Sequence, residues 1–374
     1  MNLEAPVLPN GPAKFERSEK AGPSLFNLEF PSNDHAGIAI LSNNHLMDFG
    51  LRGLEEATKI IKGAGWLYAG AGLSKSASQA PLIMDWSGTR VGVLARCETQ
   101  FGIATEARAG VAGFDASIYD QIRLLKCEVD ILIISVHAAA EMVPWPSPRR
   151  QETWRSLVDA GADVVHGHHA HVPQGWEEYN GGLIFYGLGN FCVDPDKWGW
   201  HPQGLWSLAP ELTKTTRGIA MRPKTTVIDD LGDRIRIREA DEAENTMHLT
   251  YLHQCNLPLG DSVLLEGLWQ EASIKMYTEY FAKWLGFKSP SFFGSNLYII
   301  RRRLERLKNL LLTGQGELDS CGPQRSRYLL WYHLFACDSH NDAIGTALGV
   351  LSGELEDMRT NQTAFMIDQL VFKR

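Results

Sequence analysis

The chain has 374 residues, of which 44% are hydrophobic and 21% charged, enough apolar material for a large core. A net charge of −8 and a pI near 5.9 exclude a nucleic-acid surface built on bulk charge. The opening residues lack a basic stretch followed by an apolar one, and no apolar run reaches about 18 residues. No signal peptide and no membrane span are therefore expected, and the chain as written is expected in the cytoplasm, or membrane-associated or exported if an N-terminal segment is missing from the sequence. Six cysteines with no C-x-x-C spacing fit reduced thiols better than a disulfide framework.

In chain order, residues 5–37 are rich in Pro, Gly, Ser and Asn and predict a long loop. GIAILSNNH is a short apolar run ending in polar residues, a buried strand feeding a loop. GLRGLEEATKIIKGAG has helical spacing with glycines to stop it, and APLIMDWSGTRVGVLAR reads as a hairpin turning at Ser87-Gly88. VDILIISVHA is a strand covered on both faces, followed by a helix from about Ser147 to Ala160. ADVVHGHHAH and GGLIFYGLGNF are further strands, and TTVIDDLGDRIRIRE is a second hairpin. Beyond about residue 245 the pattern is mostly helical, including LYIIRRRLERLKNLLL with its basic cluster Arg301, Arg302, Arg303, Arg306 and Lys308, a solvated helix face. The expected fold is α/β with helices outside a sheet, residues 1–240, followed by a helical C-terminal region, residues 241–374.

Four segments share one grammar. In ILSNNHLMD, IISVHAAAE, DVVHGHHAH and IFYGLGNF an apolar strand ends and metal-capable polar residues follow at once. Loops at the carboxyl ends of strands converge over the edge of an α/β sheet, so Asn44, His45, His137, His168, His169, His171 and Asn190 are expected to face one crevice. Imidazoles bind Mn, Fe or Zn and asparagine oxygens fill harder positions. Two such ions about 3.5–4 Å apart clamp a phosphate and supply hydroxide for in-line attack.

These residues carry a resemblance. LSNNHLMDFG resembles the NNH-x-x-D-x-G signature of the bacterial poly-gamma-glutamate capsule synthesis protein (CapA) family. The family's other marks stand in order: NLE at Asn2 to Glu4, GAG at Gly70 to Gly72, H-x-x-x-E at His137 to Glu141, H-x-H at His169 to His171, and Y-x-L-G-N-F at Tyr186 to Phe191. The resemblance covers roughly residues 1–195. It implies the fold of the calcineurin-like metallophosphoesterases, a β-sandwich flanked by helices. It also implies Asn44, His137, His169 and His171 as metal ligands, with Glu4 the candidate bridging carboxylate, and two divalent metals as cofactors. By the same carry-over His45 lies beside the substrate phosphate as a general acid. Asn2, Asn43, Asp48, Glu141, His168, Tyr186 and Asn190 would support the ligands or the substrate.

The sequence also departs from the pattern. Family members usually begin with a strand ending in Gly-Asp, and that aspartate would be the first ligand; here the sequence opens at NLE, and a true absence of the aspartate implies the loss of one of the two metals. A chain cut short before that strand explains this better than a degenerate member, because a domain rarely drops an inner strand. Ala139 stands for the glycine of H-x-G-x-E and Ala170 for the proline of H-P-H, which is tolerable where the backbone stays at negative φ.

Other readings stand beside the functional ones. Asn44 could cap the helix near Leu51, Asp48 could hold its loop through backbone N–H groups, and Glu4 could be a surface charge. His168, spare in the H-x-H alignment, reads as a residue behind the ligands. The resulting expectation is a metal-dependent hydrolase acting on a cell-surface polymer or its phosphorylated precursor. The alternative is a non-catalytic accessory that binds polymer and docks capsule-synthesis partner proteins through its helices.

Overall fold

The computed structural model describes residues 1–8, 37–216, 218–232, 234–285 and 323–371. Most of the expected loop at 5–37, the basic cluster at 301–308 and the helical pattern around it lie outside the described residues.

The first half alternates strand and helix. In order come β1 (Ile38–Ile40), α1 (Gly50–Gly63), β2 (Leu67–Ala69), β3 (Ala71–Gly72), α2 (Lys75–Gln79), β4 (Leu82–Trp86) and β5 (Thr89–Cys97). They are followed by β6 (Gly110–Val111), α3 (Ser117–Lys126), β7 (Ile131–His137), α4 (Pro148–Asp159), β8 (Val164–His168), β9 (Trp176–Tyr179) and β10 (Gly182–Phe185). Then come α5 (Pro195–Trp198), β11 (Trp206–Leu208), the hairpin β12 (Glu211–Thr215) with β13 (Gly218–Arg222), β14 (Thr225–Asp230) and β15 (Ile235–Glu239). The helices α6 (Glu242–Asn256), α7 (Ser262–Met276), α8 (Ala282–Trp284), α9 (Pro323–Ala336), α10 (Asp338–Ser352) and α11 (Asn361–Leu370) complete the order.

A six-stranded sheet, β4-β5-β7-β8-β10-β9, is the frame; β5, β7, β8 and β10 run parallel, and β4 and β9 edge it antiparallel. The turn between β4 and β5 has positive φ at Ser87 (51°) and Gly88 (79°), the twist that a two-residue hairpin needs. Period-two alternation decides what each face meets. Leu132, Ile134 and Val136 of β7 point to α3 and α4, in a core with Ile118, Ile122, Trp154 and Leu157. Burying each such side chain contributes about 1.5–3 kcal/mol.

On the opposite face, Ile131 and Ile133 pack with Val91, Val93 and Ala95 against Ile40 and Ala69. Those last two belong to a small parallel layer in which β1 pairs with β2 and residues 1–3 run beside β1. The far side of that layer is closed by Leu54, Ala57 and Ile61, one stripe of α1. The layers are thus helix, sheet, sheet, helix: the expected sandwich flanked by helices.

The C-terminal helices share a core with the rest. Tyr251, Leu252 and Cys255 of α6, Leu265, Leu268 and Ala272 of α7, and Ile367 of α11 pack with Val164, Leu183, Phe185, Trp206 and Leu208. No helix among the described residues is long and apolar enough to cross a membrane.

Candidate metal centre

Register places the site. Cys97, His137 and His168 are neighbours across β5, β7 and β8, so the three parallel strands end in one row. The loops after them, together with the Asn43–Asp48 loop after β1 and the loop after β10, open over the same edge. Residues 1–3, parallel to β1, deliver Glu4 there as well.

Glu4 is the hub. Its Oε1 stands 3.5 Å from His137 Nε2, 3.9 Å from His169 Nδ1 and 3.5 Å from His171 Nε2. Asn44 Oδ1 meets His137 Nε2 at 3.1 Å, and Asn2 Nδ2 meets His137 Nδ1 at 3.3 Å. The Asn43 amide donates to Leu3 O (2.8 Å) while its Oδ1 accepts from the backbone of His45 and Leu46, so Asn43 ties the two loops together. Asn190 Oδ1 contacts His171 Nδ1 at 3.0 Å, and the Trp198 ring lies over the His171 ring with centroids 4.2 Å apart. His169 and His171 both adopt positive φ, 88° and 59°. Each such residue costs of order 1–3 kcal/mol, and their clustering at a site is characteristic of function. Ala138, Ala139, Ala140 and Ala170 show no positive φ.

The donor set fits a divalent cation. Glu4 Oε1 and His169 Nδ1 are both sealed from solvent and make no hydrogen bond, although buried polar atoms are nearly always bonded. Glu4, His137 and His169 present ligand atoms within 4.8 Å of one another, and so do Glu141, His169 and His171. Carboxylate with imidazole suits Mn, Fe or Zn. Burial pushes the His137 imidazole well below its ordinary pKa, against the pull of Glu4, so it is a neutral ring able to ligate. Burial opposes charge on Glu4 too, yet the imidazoles of His171, His137 and His169 outweigh it and hold the carboxyl well below its ordinary range. At His169 the carboxylates of Glu4, Glu141 and Glu98 overcome burial and raise the pKa.

His45 stands at the mouth with 22% of its side chain exposed, its Nδ1 held 2.6 Å from the buried carboxylate of Asp48. Helix α1 is capped at Phe49 without a side-chain bond, so Asn44 is a site residue and not its cap.

The structure does not bring every expected residue to the crevice. Tyr186 points to the α4 side, stacked on Trp154 with its hydroxyl donating to Glu177. His168 lies on β8 itself, edge-on to His166, and burial depresses the pKa of both. Two residues at the centre were missed from sequence, Glu98 and Gln100. Gln100 Nε2 is 3.1 Å from His169 Nε2 and 2.7 Å from Glu98 Oε1. VGVLARCETQ has the same grammar as the other four segments, and that was the available signal.

Residues 1–195 match the family described as bacterial capsule synthesis protein PGA_cap. The chain belongs to this family. Relatives include the capsule biosynthesis protein CapA of Bacillus anthracis, 30% identical over 53% of this chain and 50% of that protein. Another is the PGA biosynthesis protein CapA of Bacillus subtilis (strain 168), 32% identical over 42% of each chain. The chain spans about half the length of the curated relatives it matches. Among solved structures, a 5′-nucleotidase of Candida albicans overlays with a TM-score of 0.30 and 11% identity, covering 59% of this chain and 39% of that one. This PGA_cap chain thus carries its family's match over the segment that supplies every donor of the centre.

Proposed function

We propose that this PGA_cap chain is a metal-dependent hydrolase of a phosphoester or related bond in the assembly of a cell-surface polymer. Its substrate would be the polymer or a phosphorylated precursor, and its partners other capsule-synthesis proteins. The carrying observation is the convergence of two sealed, unbonded atoms, Glu4 Oε1 and His169 Nδ1, beside His137 Nε2. Glu4, Asn44, His137, His169 and His171 would hold the cation or cations, with Glu141 completing a second position. Divalent Mn, Fe or Zn supplies Lewis acidity toward a phosphoryl oxygen and lowers the pKa of water.

The chain's own residues do the rest. His45 presents its outer ring nitrogen to the leaving oxygen and donates a proton, while Asp48 fixes the ring through Nδ1. Asn43 ties the loop that carries His45 to Leu3. Asn190 and Trp198 brace His171 from two sides. Elemental analysis of the purified chain beside a His169→Ala/His171→Ala variant tests the reading. Near-stoichiometric Mn, Fe or Zn that disappears in the variant supports it. A folded wild-type chain that takes up none of these metals would sink it in favour of a polymer-binding accessory.

A further inference from the structure

Behind His169, on the side away from Glu4, lies a carboxylate with no solvent contact. Glu98 is fully buried in the loop after β5. Its Oε2 accepts from Arg150 Nη2 (2.8 Å), from the backbone N–H of Ser339 (3.1 Å) and from Ser339 Oγ (2.6 Å). Its Oε1 accepts from Gln100 Nε2 (2.7 Å) and stands 3.8 Å from His169 Nε2. The neighbouring Thr99 N–H donates to Asp338 Oδ2 (3.0 Å). The first turn of α10 and the 98–100 loop are therefore clasped across some 240 residues of sequence. A buried carboxylate is tolerable only when charge and lone pairs are answered, and Arg150 with Ser339 answers them.

The clasp reaches the centre through one side chain. Gln100 Nε2 donates to Glu98 Oε1 and stands 3.1 Å from His169 Nε2; a carboxylate only accepts, so the Glu98 contact fixes that end of the amide as its N–H donor. A histidine that ligates through Nδ1 presents Nε2–H to a partner behind it, commonly a carboxylate. At His169 that place is taken by the Glu98 carboxylate, whose Oε1 stands 3.8 Å from Nε2, with Gln100 holding that oxygen from the side.

We propose that Glu98, clamped by the first turn of α10, is a positioning residue for His169. With Gln100 it sets the ring so that Nδ1 faces Glu4 and His137, which makes metal affinity depend on a helix that contributes no ligand. The inference rests on the metal-centre reading above.

The test uses the full chain, stripped of metal and titrated with Mn²⁺ or Zn²⁺ against a chromophoric chelator, with Co²⁺ absorption as a spectroscopic signature. Glu98→Gln and Gln100→Leu are expected to weaken binding about 10–100-fold and to alter the Co²⁺ spectrum. Ser339→Ala, which keeps the backbone donor, should give a smaller loss. If Glu98→Gln does not fold, Gln100→Leu decides, because its side chain touches Glu98 and His169 rather than α10. A folded variant that binds within twofold of wild type with an unchanged Co²⁺ spectrum, even if its metal-free Tm falls, would show a clamp with no positioning role and overturn the inference. A wild-type chain that binds none of the three metals overturns this and the hydrolase reading together; wild-type binding with unaffected variants overturns this alone.

Discussion

Acidification of the metal-free chain should expose what His137 does. The side chain is fully buried, and burial holds its pKa well below the ordinary value. A group depressed in this way stabilises the fold fully above its unfolded pKa, about 6.5, and the contribution is lost as pH falls toward the folded value. Each pH unit in that window over which the folded imidazole stays neutral removes about 1.36 kcal/mol. His169 runs the other way, since its raised pKa stabilises the fold below about 6.5 and is lost as pH rises through the folded value. Glu4 is silent in this window, because a depressed carboxyl loses its contribution only below about 4.5. The assay is urea unfolding in chelator at a series of pH values, for wild type and His137→Gln. The variant should lose that slope, about 1.36 kcal/mol per pH unit, below 6.5 and nothing above it. Identical slopes in the two proteins would refute a neutral, buried His137.

Three further changes separate fold from site. A Cβ at Gly167 would stand 2.1 Å from Tyr186 O and 2.5 Å from the Trp154 ring. Gly167→Ala should therefore cost about 1–3 kcal/mol and loosen metal by shifting β8, seen as a lower Tm together with lower metal content; an unchanged Tm would contradict the packing. Asp48→Asn should slow hydrolysis of esters with poor leaving groups by about 100-fold, sparing 4-nitrophenyl esters and metal content, and equal effects on both esters would remove His45 as proton donor. Arg155→Ala breaks the paired bonds to Glu177 at 2.9 and 2.6 Å and leaves the Tyr186–Glu177 contact without its cation. Its expected loss is about 1–3 kcal/mol in urea unfolding with metal content intact.

Much of the candidate centre's geometry was legible because its donor side chains follow strand ends. The apolar runs before Asn44, His137 and His169 marked the strands, and parallel register then aligned Cys97, His137 and His168 in one row. Period two also sorts the faces of β10. Leu183 and Phe185 face the C-terminal helices, so Ile184 and Tyr186 face α4, and parity alone excludes Tyr186 from the crevice. The same alternation puts Val165 against Trp154 and turns His166 with His168 to the inner face.

Other parts had no local signature. Helix α7 reads as amphipathic, yet Leu265, Gly267, Leu268, Trp269, Gln270, Ala272 and Ser273 are all buried. One side meets the sheet core while Trp269 reaches Ala343 and Ile344 of α10. Glu98 is the sharper case. Its acceptor capacity is met by Arg150 from α4 and Ser339 from α10, partners 52 and 241 positions away, and no spacing rule connects them. A glutamate after a buried strand is an expensive residue unless donors surround it, and its burial here is what ties the helical C-terminal part to a ligand of the centre. Division of labour between the two parts of the chain then runs through Gln100. The N-terminal part carries the donor side chains, and on the proposed role of Glu98 the C-terminal helices hold one of them still.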